Sequence, residues 1–141
     1  MLTEKANILI VEDNDSIRTS LSMLLTEYGY AVRSAEDGFS ALVEIRNQTP
    51  DILVSDLHMP GMSGFELLAV VRLRYPGIRV IAMSGAFSGD MMPPGVTADY
   101  FHAKGACLGS LLLSLKVLVS TRPSFRTACC TTAMLSAEGQ A

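Results

Sequence analysis

Short apolar runs alternate with amphipathic stretches along the first two thirds of the chain. Ile8-Leu9-Ile10-Val11 is continuous, apolar and rich in branched residues, the pattern of a strand buried on both faces. It stops at Glu12-Asp13-Asn14-Asp15-Ser16, a cluster suited to a turn and a helix N-cap. Ile17, Leu21, Leu24, Leu25 and Tyr28 then recur at helical spacing, with Gly29 as the stop. The same grammar repeats. Residues 30–34 read as a weaker strand and 37–47 as a helix carrying Phe39, Leu42, Val43 and Ile45. Ile52-Leu53-Val54 is a third strand, ending in Ser55-Asp56. The loop His58-Met59-Pro60-Gly61-Met62 leads to Ser63 as cap and a helix through Phe65, Leu67, Leu68 and Val71. Pro76-Gly77 ends that helix, and Val80-Ile81-Ala82-Met83 is the fourth strand. Strands alternating with helices at this rhythm predict a doubly wound α/β domain, a parallel sheet with helices on both faces.

The last third breaks the rhythm. Between Ser84 and Tyr100 fall three glycines (Gly85, Gly89 and Gly95) and the pair Pro93-Pro94, through which no regular helix runs because a ring clashes and both amide donors are missing. A loop or a single turn is expected there. Residues 98–103 read as a fifth strand ending at Lys104-Gly105, and 108–119 as a last helix. Residues 121–141, with Pro123 and many small polar residues, look like a tail without a core of its own after a domain spanning 1–120.

Composition narrows the class. A chain of 141 residues suits one compact domain, and 49% apolar against 18% charged residues argues against disorder. A net charge of −3 gives no electrostatic case for nucleic acid. Cys107, Cys129 and Cys130 are an odd, late set that outlines no disulfide framework. The adjacent pair Cys129-Cys130 reads as incidental rather than reactive. Residues 1–7 lack the basic start and apolar run of a signal peptide, and the greasy stretch 106–119 is broken by Lys116 and too short to span a bilayer. A cytoplasmic, non-membrane setting is the default expectation. Charge is uneven: eleven of the fourteen acids lie in residues 1–66. That alone describes a solvated surface, so what matters is where particular acids fall relative to strands.

In open α/β sheets ligands sit outside the carboxyl ends of the strands. The residues delivered there are Glu12 and Asp13 after the first strand, Asp56 after the third, Ser84 after the fourth and Lys104 after the fifth. Singly, each has an ordinary explanation as a cap, turn or solvated end. Jointly those explanations weaken, because all five fall immediately after buried strands. Three carboxylates together repel and raise one another's pKa unless a cation sits among them. Hard oxygen donors suit Mg²⁺, and a lysine and hydroxyl on the far side suit a dianionic phosphoryl group. The set reads as a metal-dependent phosphate site.

These segments, Ile8–Asp15, Asp51–Leu68, Val80–Gly85 and Ala98–Gly105, resemble the receiver domain of bacterial two-component response regulators, over about residues 6–119. The resemblance implies a flavodoxin-like (βα)5 fold with sheet order 2-1-3-4-5. It implies Asp56 as the acceptor of a phosphoryl group from a sensor histidine kinase or histidine phosphotransfer protein. It further implies Mg²⁺ (or Mn²⁺) held by Asp13, Asp56 and the backbone carbonyl of His58, with Glu12 acting through water. Lys104 would pair with one phosphoryl oxygen, Ser84 would donate to another, and the Gly85 backbone would bind the same group. Ser84 and Phe101 match the switch pair, although Phe101 is equally suited to core packing. His58 faces the mouth of such a site, where tuning dephosphorylation suits it better than metal ligation, and no cysteine or second histidine beside it suggests zinc.

The chain departs from the family pattern in three places. Gly105 stands where proline usually follows the lysine, and cis peptides are rare without proline, so the loop at Lys104 is expected to take another path. The fourth helix is shortened or lost in the stretch between Ser84 and Tyr100. The last helix is unusually apolar, with leucines on more than one face and Lys116 its only charge. A contact through the fifth strand and this helix, with a second copy or another protein, is therefore expected. A different register would make Lys116 the site lysine, but it lies 32 positions after Ser84, too far for the family spacing. Two other functions compete. An aspartyl-nucleophile phosphatase of the haloacid dehalogenase type needs a second aspartate two residues after the first, where this chain has His58. A degenerate receiver would bind partners without phosphorylation, but all five key side chains are present. The expected activity is thus that of a switch, not of an enzyme acting on other substrates.

Overall fold

The computed structural model describes residues 6–85, 98–104 and 108–121. Its strands are β1 (Asn7–Val11), β2 (Ala31–Ala35), β3 (Ile52–Asp56), β4 (Arg79–Ser84) and β5 (Tyr100–Ala103). Its helices are α1 (Asp15–Glu27), α2 (Gly38–Asn47), α3 (Gly64–Arg74) and α4 (Leu108–Thr121). All strand pairs are parallel, in the order β2-β1-β3-β4-β5. This is the doubly wound, flavodoxin-like architecture expected from the alternating pattern.

The apolar runs explain the two cores. Successive strand residues point to opposite faces, so Leu9, Val11, Leu53, Val80 and Ala82 pack with Ala41 and Ile45 of α2 and Leu67, Leu68 and Val71 of α3. Ile8, Ile10, Ile52, Val54, Ile81 and Met83 pack on the other face with Leu21 and Leu25 of α1 and Leu111, Leu115 and Leu118 of α4. Because both faces are covered, the runs Ile8–Val11 of β1 and Ile52–Val54 of β3 are apolar at successive positions rather than at alternate ones.

The caps are local and specific. Asn14 accepts from the Ile17 amide, Asp37 from Ser40, and Ser63 exchanges bonds with Glu66 in a capping box. Gly29 stops α1 with φ +95, a conformation that costs glycine little. Several boundaries differ from the sequence reading. The second strand begins at Ala31, because the Tyr30 amide still bonds back to the Leu25 carbonyl while Ala31 donates to Ala6. The second helix begins at Gly38, since Asp37 is its cap. The fifth strand begins at Tyr100, preceded by Asp99, whose amide donates to Val80 and whose carboxylate accepts from the Val80 amide and from Arg72. The last helix runs on to Thr121. Expectations about Gly105, residues 86–97, Cys107 and residues 122–141, including Cys129 and Cys130, lie outside the described residues.

The order β2-β1-β3 means that the chain winds one way from β1 and the other way from β3. A crevice therefore opens between their carboxyl ends. The candidate residues lie on that rim.

Candidate functional site

Each strand hands one or two polar residues to the rim. Glu12 follows β1 directly, and its amide donates to the Ala35 carbonyl at 3.1 Å, which extends the ladder by one residue. Its side chain is fully buried, and Oε2 accepts from the Asn14 amide at 3.2 Å. Asp13, next along, is exposed. Asp56 closes β3, is 2% exposed, and has both oxygens engaged. The His58 amide donates to Oδ1 at 3.2 Å, and Lys104 Nζ donates to Oδ2 at 3.0 Å.

Glu12, Asp13 and Asp56 each offer a carboxylate oxygen, and these oxygens lie within 4.8 Å of one another. Lys104 Nζ also contacts Glu12 Oε1 at 2.9 Å. The ammonium thus stands between two of the carboxylates, not across the site from them. Two buried carboxylates side by side draw the nearest cation, which explains the placement. Burial pushes the Glu12 carboxyl above its ordinary pKa, and the Asp56 charge adds to this, while Lys104 and the Asn14 amide act against it. Burial alone would weaken the charge on Lys104. The two carboxylates outweigh it and hold that amine above its ordinary pKa.

The turn after Asp56 is built around a close approach. Gly64, the first residue of α3, donates to the Leu57 carbonyl at 3.0 Å. A Cβ built on Gly64 would stand 2.1 Å from the Asp56 carbonyl oxygen and 2.5 Å from Leu57 Cα. Only glycine lets α3 start against the strand that carries the acidic group. His58 is exposed, and its ring meets Phe65 edge-on with centroids 5.9 Å apart.

Ser84 is fully buried at the end of β4, and its carbonyl accepts from the Lys104 amide at 3.0 Å. That bond ties the hydroxyl-bearing residue to the amine-bearing one. Gly85 is exposed, and a Cβ built on it would meet the Lys104 side chain at ordinary van der Waals distance. Phe101 is half-buried and packs against the core face shared with α2 and α3. Lys116 is exposed on α4, remote in sequence register from the rim, so the lysine at the site is Lys104.

A sixth residue belongs to the site's frame and was not singled out from the sequence. Arg18 Nη1 donates to the Glu12 carbonyl at 2.8 Å, and Nη2 pairs with Asp15. Its spacing of four residues from the cap Asn14 is the signal that places it over the turn.

The donor set is that of a hard-cation centre. Three carboxylates stand close together, and the buried Glu12 Oε1 already faces a cation, the Lys104 ammonium at 2.9 Å. Oxygen donors in this arrangement fit a hard divalent cation. The comparisons with known proteins agree on the family. Residues 8–101 match the family model described as the response regulator receiver domain. This chain belongs to that family. Among solved receiver structures, the chemotaxis protein CheY4 of Vibrio cholerae is 29% identical, spans 82% of this chain and 99% of its own, and superposes with a TM-score of 0.72. The response regulator TrrA of Thermotoga maritima, solved in complex with Mg(2+)-BeF, is also 29% identical, over 80% of this chain and 98% of its own, with a TM-score of 0.71. Among curated relatives, the probable transcriptional regulatory protein TcrX of Mycobacterium tuberculosis is 30% identical over 82% of this chain. This receiver domain spans only part of the curated relatives it matches, half of TcrX and 17% of the transcriptional regulator NtrC of Proteus hauseri. No helix among the described residues is long and apolar enough to cross a membrane.

Proposed function

We propose that the chain is a phosphoacceptor switch: Asp56 takes a phosphoryl group from a phosphohistidine on a sensor histidine kinase or phosphotransfer protein. The observation that carries this reading is the setting of Asp56. It is nearly buried at the sheet's switch point, with one oxygen held by the His58 amide and the other by Lys104, beside two further carboxylates. In the transfer, an Asp56 oxygen forms a bond to phosphorus as the bond from phosphorus to the donor's imidazole nitrogen breaks. The electron pair leaves with that nitrogen, the ring departs as neutral imidazole with its proton on the other nitrogen or taken up from solvent, and an acyl phosphate remains.

Asp13, Asp56 and the His58 carbonyl would hold Mg²⁺ (or Mn²⁺), with Glu12 joined through water. The ion, when bound, neutralises charge on the oxygens of the transferring group. Lys104 would pass from its carboxylate contacts to a phosphoryl oxygen, and the Gly85 amide and Ser84 hydroxyl would take others. Ser84 is bonded through its carbonyl to Lys104, and Phe101 stands on the neighbouring strand. Movement of Ser84 toward phosphate would therefore be felt by β5. Output would run through protein contact at β5 and α4, with phosphate gained and lost at this site only and no other substrate turned over. A cytoplasmic setting, where a kinase and Mg²⁺ are at hand, suits this role.

The test uses Mg²⁺ and phosphoramidate, whose phosphorus–nitrogen bond resembles that of phosphohistidine, with intact mass as the readout. One phosphoryl group on the wild type and none on Asp56→Asn is the expected result. A wild type that gains no phosphoryl group would overturn the reading in favour of a receiver that acts by binding alone, and an equal gain on both proteins would overturn Asp56 as the acceptor.

A further inference from the structure

We infer that Arg18 is a positioning residue for the acidic pocket: its guanidinium fixes the turn that presents Asp13, and so sets the affinity for a divalent cation. The inference rests on the metal-assisted reading of the site given above. Arg18 stands on the first turn of α1, and its two terminal nitrogens hold different acceptors. Nη1 donates to the Glu12 carbonyl at 2.8 Å, while Nη2 pairs with the Asp15 carboxylate. The Glu12 carbonyl belongs to the peptide unit whose nitrogen is that of Asp13. Holding that oxygen therefore sets the peptide plane from which the Asp13 side chain departs.

The other side of the same residue is held independently, by the Glu12 amide on the Ala35 carbonyl and by the Asn14 amide on Glu12 Oε2. Glu12 and Asp56 are locked by burial and by Lys104. Asp13 is the exposed member of the three carboxylates, and it owes its place to the backbone that Arg18 clamps. The guanidinium side chain is only 18% exposed, whereas the Asp15 carboxylate is 84% exposed, so the bond to the carbonyl is the sheltered end of the fork. A planar fork holds two acceptors at a fixed separation, which a lysine ammonium does not.

The experiment measures Mg²⁺ affinity by calorimetry for the wild type, Arg18→Met and Arg18→Lys, with thermal unfolding in chelator beside it. Outer residues that orient metal ligands typically cost about tenfold or more in affinity when replaced. Arg18→Met is expected to weaken Mg²⁺ binding by roughly that factor, and Arg18→Lys to recover part of it. Phosphorylation of Arg18→Met by phosphoramidate should slow at low Mg²⁺ and return toward the wild-type rate at saturation. A merely structural staple would lower the melting temperature and leave Mg²⁺ affinity where it was. That result, in a folded Arg18→Met, overturns the inference. Should Arg18→Met fail to fold, Asp15→Asn removes the charge that one arm of the fork pairs with and leaves the carbonyl bond. A smaller weakening of Mg²⁺ binding is then expected, and unchanged affinity in both Asp15→Asn and Arg18→Lys overturns the inference. A wild-type chain that binds no Mg²⁺ would instead remove the metal-assisted reading itself, and the inference with it.

Discussion

Gly64 shows how tightly a single residue governs this rim. Its Cα sits against the backbone of Asp56 and Leu57, so any side chain there must push α3 away from the end of β3. Overpacking of this kind costs about 1–3 kcal/mol and occasionally more. Gly64→Ala is therefore expected to lower stability by at least that amount in chemical denaturation. It should also impair phosphorylation, because the His58 amide that orients Asp56 lies within the displaced loop. Wild-type stability in the variant would show that the approach is looser than it stands here. Most of the acidic rim was legible at this scale. Glu12, Asp13, Asp56, Ser84 and Lys104 each terminate a strand or follow one, and a strand's end can be located from its apolar run. Arg18 was not legible, because its role depends on which carbonyl its long side chain reaches, and spacing gives the direction of a side chain but not its partner.

At the scale of elements, β5 carries an unusual burden. His102 is 6% exposed on this short strand, level with Met83 of β4, and α4 packs against it. Burial holds its pKa below the ordinary 6.5. The sign follows directly. Below pH 6.5 the unfolded imidazole takes up a proton that the folded one refuses, so the unfolded state binds more protons and stability falls as pH drops. The loss continues down to the folded pKa, at no more than about 1.4 kcal/mol per pH unit. Urea midpoints between pH 7.5 and 5 should decline less steeply in His102→Leu than in the wild type, and parallel declines would contradict this account. The order of elements was readable from the alternation of apolar runs and helical spacings, while their edges were not. Tyr30 and Asp37 bond into turns and caps rather than into the elements their neighbours suggested. Such choices depend on which partner each backbone group reaches in the folded chain.

The whole molecule buries one stripe of α4 and leaves another exposed. Leu111, Leu115 and Leu118 face the core, while Leu113 is 65% exposed and Val117 43%. The sequence reading of leucines on more than one face corresponds to this division. Leu113→Lys should change stability by no more than about 0.5 kcal/mol, as exposed substitutions commonly do. If output passes through β5 and α4, the same change should weaken association with a second copy or a partner, as read by light scattering before and after phosphorylation. A chain that stays monomeric in both states, with and without the substitution, would argue against self-association at that face.

The central claim is that one carboxylate, Asp56, accepts the phosphoryl group. After treatment with phosphoramidate and Mg²⁺, reduction by borohydride converts an aspartyl phosphate to homoserine, which peptide mass mapping can locate. The account predicts homoserine at position 56 alone, and none when Mg²⁺ is withheld. Its absence there, or its appearance at Asp13 or another acid instead, would contradict the account.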